Sequence, residues 1–222
     1  MNSIFINLNR YADVPNSTPT LIPIQIVGSG ACQPERKVDS TEIDQKMGYK
    51  SGLTERITGV KSRFYATNES ATDLATMAID IALQSSKLKI GDIDCVISAS
   101  GTMEQAIPYN AVKLHKSLGL SSNVVTFDIN MTCLGALMAI DMAASLIQTG
   151  RYENILIYAS EIISVGVDWK NIETGGLFGD GAAALIVTKP KSVTGSSRII
   201  ASLIRLRILS YPSSKNDYRN IS

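Results

Sequence analysis

Residues 124–150 read VVTFDINMTCLGALMAIDMAASLIQTG, and the way this stretch is divided decides the fold. Of its first six residues all but Asp128 are β-branched or aromatic, which predicts a strand over about 123–129. From Leu134 the apolar residues change period: Leu137, Ile140, Ala144 and Ile147 recur at three and four, with Asp141 and Gln148 on the opposite side. That pattern predicts a largely buried helix over 134–149, closed by Gly150. Cys133 stands where strand becomes helix, beside N–H groups that a helix start leaves unpaired and a dipole that favours a thiolate. It is either a reactive nucleophile or a small apolar residue at a junction. Gly135, two positions on, either lets a substrate approach the sulfur or lets the helix pack tightly.

The alternation continues in both directions. Upstream, SATDLATMAIDIALQ (70–84) carries Leu74, Met77, Ala78, Ile81 and Ala82 at helical spacing, with Ser70 and Asp73 arranged as an N-terminal cap. DCVISAS (94–100) reads as a buried strand, and the segment from Pro108 to Gly119 as a helix. IPIQIVGSG, from Ile22, reads as a strand ended by Gly28 and Gly30. Downstream, NILIYAS (154–160) and AAALIVT (182–188) are two more strands. Strands and helices in turn predict an α/β domain over 21–194, a mixed, mostly parallel sheet with helices on both faces. Residues 1–20 lack periodicity and read as a flexible N-terminal arm. Residues 195–222 open with one further possible strand at Gly195 and pass into a polar tail.

Composition narrows the class of partner. The 222 residues are 45% hydrophobic and 18% charged, ordinary globular values, so disorder is not the default. A net charge of +1 offers no excess for a phosphate backbone or an anionic membrane, so no nucleic-acid partner is expected. Three scattered cysteines make neither a disulfide framework nor a zinc set and fit a reducing, cytoplasmic setting. No signal peptide or run of about 18 apolar residues is visible, so no membrane association is expected.

Several chemistries are disfavoured by missing residues. GSGACQ (28–33) begins like a dinucleotide fingerprint, but Gln33 occupies the third glycine position, and a strand-ending turn explains Gly28 and Gly30. Neither GxxxxGK[ST] nor GxSxG occurs. The only histidine, His115, falls in a helix between Lys113 and Lys116 and reads as a surface or half-buried position. Cys95 lies in a strand and Cys32 follows a glycine turn, and both read as structural. GGLFGDGAAALIV (175–187) surrounds Phe178 and Asp180 with glycines ahead of a strand. Such a turn either brings Phe178 against a pocket or is an ordinary glycine-rich connection.

Taken together, FDINMTCLGALMAIDMAASLIQTG, ILIYASEIIS and LFGDGAAALIV resemble the β-ketoacyl-acyl-carrier-protein synthase III family of the thiolase superfamily. ITGVKSRFYATNESATDLATMAIDIAL and DIDCVISASGTMEQAIPYNAVKLHKSLG extend the resemblance to residues 23–205. The resemblance implies a thiolase-like half and an acyltransferase: an acyl group is loaded on Cys133, then attacked by the carbanion of a decarboxylating malonyl carrier protein. It implies that the Cys133 N–H forms part of an oxyanion hole. It also implies that Thr132 and Phe178 contact substrate, and that Ile107 reaches a neighbouring subunit's acyl pocket. No bound cofactor is implied; acyl-coenzyme A or acyl carrier protein thioesters are substrates. The implied partners are acyl carrier protein and a second subunit, in a homodimer or a heterodimer with a synthase paralogue. Leu53 and Ile57 depart from the pattern, standing where bacterial members commonly carry a coenzyme A-holding tryptophan and arginine. The family's enolate-stabilising His and Asn belong to a second half, and His115 does not match that His. The chain is thus expected to be an N-terminal half with an incomplete catalytic set. The alternatives are a noncatalytic dimerisation subunit and an inactive fragment.

Overall fold

Gly28 and Gly30 lie inside a strand, and a helix explains them. In the computed structural model, which describes residues 22–169, 171–190 and 198–199, the chain forms β1 (Ile22–Pro23), β2 (Gln25–Cys32), β3 (Arg36–Asp39), α1 (Ser40–Met47), α2 (Leu53–Thr58), β4 (Ser62–Tyr65) and α3 (Ala71–Ser86). There follow β5 (Cys95–Ser98), α4 (Asn110–Ser117), β6 (Val125–Asp128), α5 (Gly135–Gln148), β7 (Asn154–Glu161), α6 (Ile172–Gly175), β8 (Gly181–Thr188) and β9 (Arg198–Ile199). A Cβ on Gly28 would sit 2.3 Å from the Ala82 carbonyl, and one on Gly30 would sit 2.1 Å from that of Ala78. Both carbonyls belong to α3, so the glycines permit close strand-to-helix packing, where the sequence had suggested a strand-ending turn.

α3 begins as its sequence predicts. The Ser70 hydroxyl accepts the Asp73 N–H and the Asp73 carboxylate accepts the Ser70 N–H, a reciprocal capping box. Its buried face is rotated from the expected one: Ala71, Leu74, Ala75, Ala78, Ile79 and Ala82 are buried, while Met77 and Ile81 are exposed. Small side chains face the glycines because only they allow the backbones to approach so closely.

The main sheet has the order β2-β8-β7-β5-β6. β5 pairs in parallel with β6 and β7, and β8 is antiparallel to both β7 and β2. Four strands therefore run one way and only β8 opposes them. Alternate residues feed two cores. Val96, Leu156 and Ile186 meet Leu74, Ala78 and Ile79 of α3 and Leu114 of α4 on one face. Cys95, Ile97, Ile155, Ile157 and Val187 meet Ala139, Ala143, Ala144 and Ile147 of α5 on the other.

The α5 interface departs in one respect from the spacing reading. Ala144 and Ile147 are buried as expected, but Leu137 is 58% exposed and the contact is made by Gly135, Ala139 and Ala143. Apart from Ile147, small residues make up the buried face. A separate antiparallel pair, β3–β4, packs with α1 around Val38, Ile43 and Tyr65. There Asp44 accepts N–H groups of Gly52 and Thr54 and the Thr54 hydroxyl, joining α1 to the start of α2. Burial raises the Asp44 pKa, but these hydrogen bonds outweigh it and leave the carboxyl below its usual range.

β9 pairs antiparallel with β1, so the strand suspected after Gly195 exists as a two-residue element. The arm over 1–20 and the tail beyond 199 lie outside the described residues. No helix among the described residues is long and apolar enough to cross a membrane.

Candidate active site

Parallel strands deliver their C-terminal loops to one edge of a sheet, and ligands in open α/β sheets bind there. At this edge β5 leads into residues 99–109, β6 into the Cys133 turn, and β7 ends at Glu161. Glu161 is paired with Gly181 at the start of β8, so the glycine-rich turn before β8 reaches the same edge. The sheet thus gathers the segments that carry Ile107, Thr132, Cys133 and Phe178.

Cys133 is exposed and lies in a one-turn 3-10 segment, Thr132–Leu134, just ahead of α5. As the sequence predicts, it stands between strand and helix, two residues before Gly135, the first residue of α5. α5 has no side-chain cap at its start, so its first N–H groups remain beside the sulfur's segment. The other two thiols are less available. Burial pushes the Cys95 thiol up to about 12, with the Asp94 carboxylate adding to the effect. Cys32 is half-buried, and burial raises its pKa against an opposing hydrogen bond to Gln33.

Thr132 has φ of +48°, a left-handed conformation that a β-branched residue rarely adopts. Its N–H is accepted by Asn130 Oδ1 at 3.0 Å and its hydroxyl donates to the Met131 carbonyl at 2.7 Å. Gly135 resolves toward tight packing: a Cβ there would stand 2.6 Å from the Ala99 carbonyl at the end of β5. That contact fixes how closely α5, and with it the cysteine turn, approaches the sheet.

The loop after β5 is braced from several sides. Asn110 donates to the Thr102 carbonyl at 2.8 Å and accepts the Glu104 N–H at 3.1 Å. Glu104 forms an ion pair with Lys113 and accepts the N–H and hydroxyl of Thr72. Burial raises the Glu104 pKa, but Lys113 and Thr72 together hold it below the ordinary carboxylate range. Ile107, 84% exposed, projects from this loop. A cavity of about 450 Å³ opens between the loop and β6, lined by Met103, Tyr109, Val112, Phe127 and Asn130 among others. Its wall does not include Ile107, Thr132, Cys133 or Phe178.

The turn before β8 is clamped from below. Buried Arg63 donates to the Gly176 carbonyl and to Ser40, while Asp180 accepts from Ala66 N and from the backbone and hydroxyl of Ser164. A Cβ on Gly176 would meet Thr54 of α2 at 2.7 Å, so that glycine serves close packing. Phe178 is 41% exposed. On neighbouring α2, Leu53 is half-buried and Ile57 is exposed. His115 lies at the other end of the sheet, its Nε2 3.1 Å from the Ser121 carbonyl ahead of β6. It is consistent with a local role at the end of α4.

Sequence reasoning missed Asn130, Glu161 and Arg63. Asn130, two residues before Thr132, has the spacing of an Asx turn and was detectable. Glu161 acts on residues 59 and 60 positions away, and no local pattern reveals that.

A mixed sheet with helices on both faces, with an exposed cysteine between the parallel strand β6 and a helix that has no side-chain cap, is the arrangement of a thiolase-like α/β protein. A profile described as 3-oxoacyl-[acyl-carrier-protein (ACP)] synthase III matches residues 127–205, which include Cys133. The β-ketoacyl-[acyl-carrier-protein] synthase III of Neisseria gonorrhoeae is 33% identical over 192 residues, 85% of this chain and 59% of that protein. The solved 3-oxoacyl-[acyl-carrier-protein] synthase III of Aquifex aeolicus superimposes with a TM-score of 0.72 at 31% identity, over 76% of this chain and 55% of that one. Xanthomonas campestris OleA, 22% identical with a TM-score of 0.71 over 82% of this chain and 62% of its own, supports the fold alone. The chain belongs to the β-ketoacyl-acyl-carrier-protein synthase III family. It spans between half and three-fifths of the length of the curated relatives it matches.

Proposed function

We propose that this chain carries the acyl-accepting part of a ketoacyl synthase III-type acyltransferase, with Cys133 as the nucleophile. The observation that carries this reading is the placement of the exposed Cys133 at the ligand-binding edge of the sheet, ahead of a helix start whose N–H groups have no side-chain cap. The sulfur attacks the carbonyl carbon of an acyl thioester. The new C–S bond forms as the bond to the carrier's sulfur breaks, and the carrier thiol leaves with the proton given up by Cys133. The Cys133 N–H would form part of the oxyanion hole for the tetrahedral intermediate. Thr132 and Phe178 flank the acyl group, and Ile107 faces the acyl site of a second subunit.

The second step would be a decarboxylative Claisen condensation on acyl-Cys133, in fatty-acid or polyketide-type synthesis in the cytoplasm. Acyl loading on Cys133 is the step that the described residues support best. The donor is an acyl carrier protein or another thioester, because exposed Ile57 and apolar Leu53 offer no cation for a coenzyme A phosphate. No bound cofactor takes part.

A second reading has an observation of its own. Met103, Ile107, Tyr109, Val112 and Val125 are all exposed near β6, whose outer edge has no strand partner among the described residues. That apolar surface supports pairing with another copy or with a synthase paralogue, in which the chain would be a noncatalytic subunit. Incubation with acyl thioesters followed by intact-mass measurement tests the first reading. It predicts one added acyl group on the wild type and none on Cys133→Ala. Acylation that persists in the variant overturns the nucleophile assignment.

A further inference from the structure

We propose that Glu161 and Asn130 are positioning residues for Cys133, linked through Gly101 into a relay that holds the cysteine turn in its strained conformation. The proposal rests on the reading of Cys133 as acyl acceptor.

A β-branched residue in the left-handed region reverts to ordinary backbone unless its surroundings enforce the conformation. Thr132 is such a residue, one position before the sulfur. Its N–H is held by Asn130 Oδ1 at 3.0 Å. Asn130 is exposed, and an exposed side chain does not hold a strained turn unless it is itself anchored. The anchor is the Gly101 carbonyl, which accepts from Asn130 Nδ2 at 3.1 Å. Gly101 is in turn fixed by its own N–H, which donates to Glu161 Oε1, while Glu161 Oε2 accepts the Thr102 N–H at 2.8 Å and the Thr102 hydroxyl.

Both Glu161 oxygens are thus engaged by the loop after β5. Its role is to fix that loop and not to exchange protons with substrate. The packing agrees with the hydrogen bonds. A Cβ on Gly101 would lie 3.6 Å from Thr132 Cα and 3.7 Å from Glu161 Oε1, so the glycine backbone is sandwiched between the two ends of the relay. Each participant comes from the C-terminal end of a different parallel strand: Glu161 from β7, Gly101 from after β5, Asn130 from after β6. The sheet's order, β7-β5-β6, is the order of the relay. The rigidity of the sheet is thereby transmitted to the turn that carries the nucleophile.

The test uses the full chain with Asn130→Ala, Asn130→Asp, Glu161→Ala and Glu161→Gln. Three readouts are taken: acylation rate by intact mass, alkylation of Cys133 by iodoacetamide, and amide exchange at Thr132. Loss of positioning slows acylation by roughly ten- to a hundredfold in the alanine variants. Alkylation by the small reagent, which needs only access, changes by less than about twofold. Asn130→Asp, which keeps the acceptor for Thr132 N–H, and Glu161→Gln, which keeps one carboxyl oxygen's role, recover part of the rate. Glu161→Ala also accelerates exchange at Thr132, although the two residues share no hydrogen bond. Glu161→Gln provides the same comparison if the alanine variant does not fold. Wild-type exchange at Thr132 in folded Glu161 variants overturns the relay, whatever the acylation result. A wild type that takes no acyl group, with the exchange coupling intact, overturns the acyl-acceptor reading and leaves the relay standing.

Discussion

The two long helices of this chain start in opposite ways. α3 opens on a reciprocal Ser70–Asp73 capping box, and its first turns bury Ala71, Leu74 and Ala75. α5 opens with no side-chain cap, behind a residue of positive φ and an exposed cysteine, and carries an exposed Leu137 in its first turn. One start is locked by its side chains; the other has no side-chain cap and leaves its thiol exposed. Both helices nevertheless meet the sheet through small residues, so the contrast lies in the ends and not in the packed faces. Chemistry is favoured at the helix start that forgoes a stabilising side-chain cap while remaining firmly packed.

Equivalent substitutions in the two helices sharpen this contrast. Leu74→Ala removes a fully buried side chain and is expected to destabilise by about 2–5 kcal/mol, whereas Leu137→Ala stays within about 0.5 kcal/mol in urea unfolding. A large effect at Leu137 would break the comparison. Gly135→Ala forces a Cβ against the Ala99 carbonyl and is expected to lower stability by about 1–3 kcal/mol in the same measurement. It should also slow acylation, because the cysteine turn moves with the helix. Ser70→Ala, which removes the α3 cap, is expected to cost about 1 kcal/mol in thermal or urea unfolding and to leave acylation unchanged.

The smallest effect concerns pH. Glu104 is held below its ordinary range by Lys113 and Thr72, so its ionised form contributes stability that is fully present above the unfolded-state value of about 4.3. That contribution is lost as pH falls through the lower folded-state value. Glu104→Gln is therefore expected to destabilise by under about 1 kcal/mol at neutral pH. The gap from wild type should close on acidification in urea unfolding between pH 7 and pH 3. A gap that widens in acid contradicts the assigned direction.

Much of the fold was legible because it rests on local signals. The change of period across residues 124–150, the Ser70 cap and the apolar runs of β5, β7 and β8 each declare themselves within a few residues. The β3–β4 pair was not legible: RKVD and SRFY are four residues long, mostly polar, and lack alternation. Helix faces were misjudged where alanine and glycine, not the larger side chains, made the contact. Cys133 could be singled out from its place between strand and helix. Its support Asn130 could also have been found from its spacing to Thr132, but Glu161 could not, because it reaches Gly101 and Thr102 only once β5 and β7 have paired.

In the proposed reading Cys133, exposed ahead of a helix start with no side-chain cap, is the thiol that accepts the acyl group. Peptide mapping by mass spectrometry after exposure to an acyl thioester tests it most directly, since all three cysteines compete in one molecule. The predicted result is an acyl group on the Cys133 peptide, with Cys95 and Cys32 unmodified. Acyl transfer to Cys32 or Cys95 with Cys133 left free would contradict it.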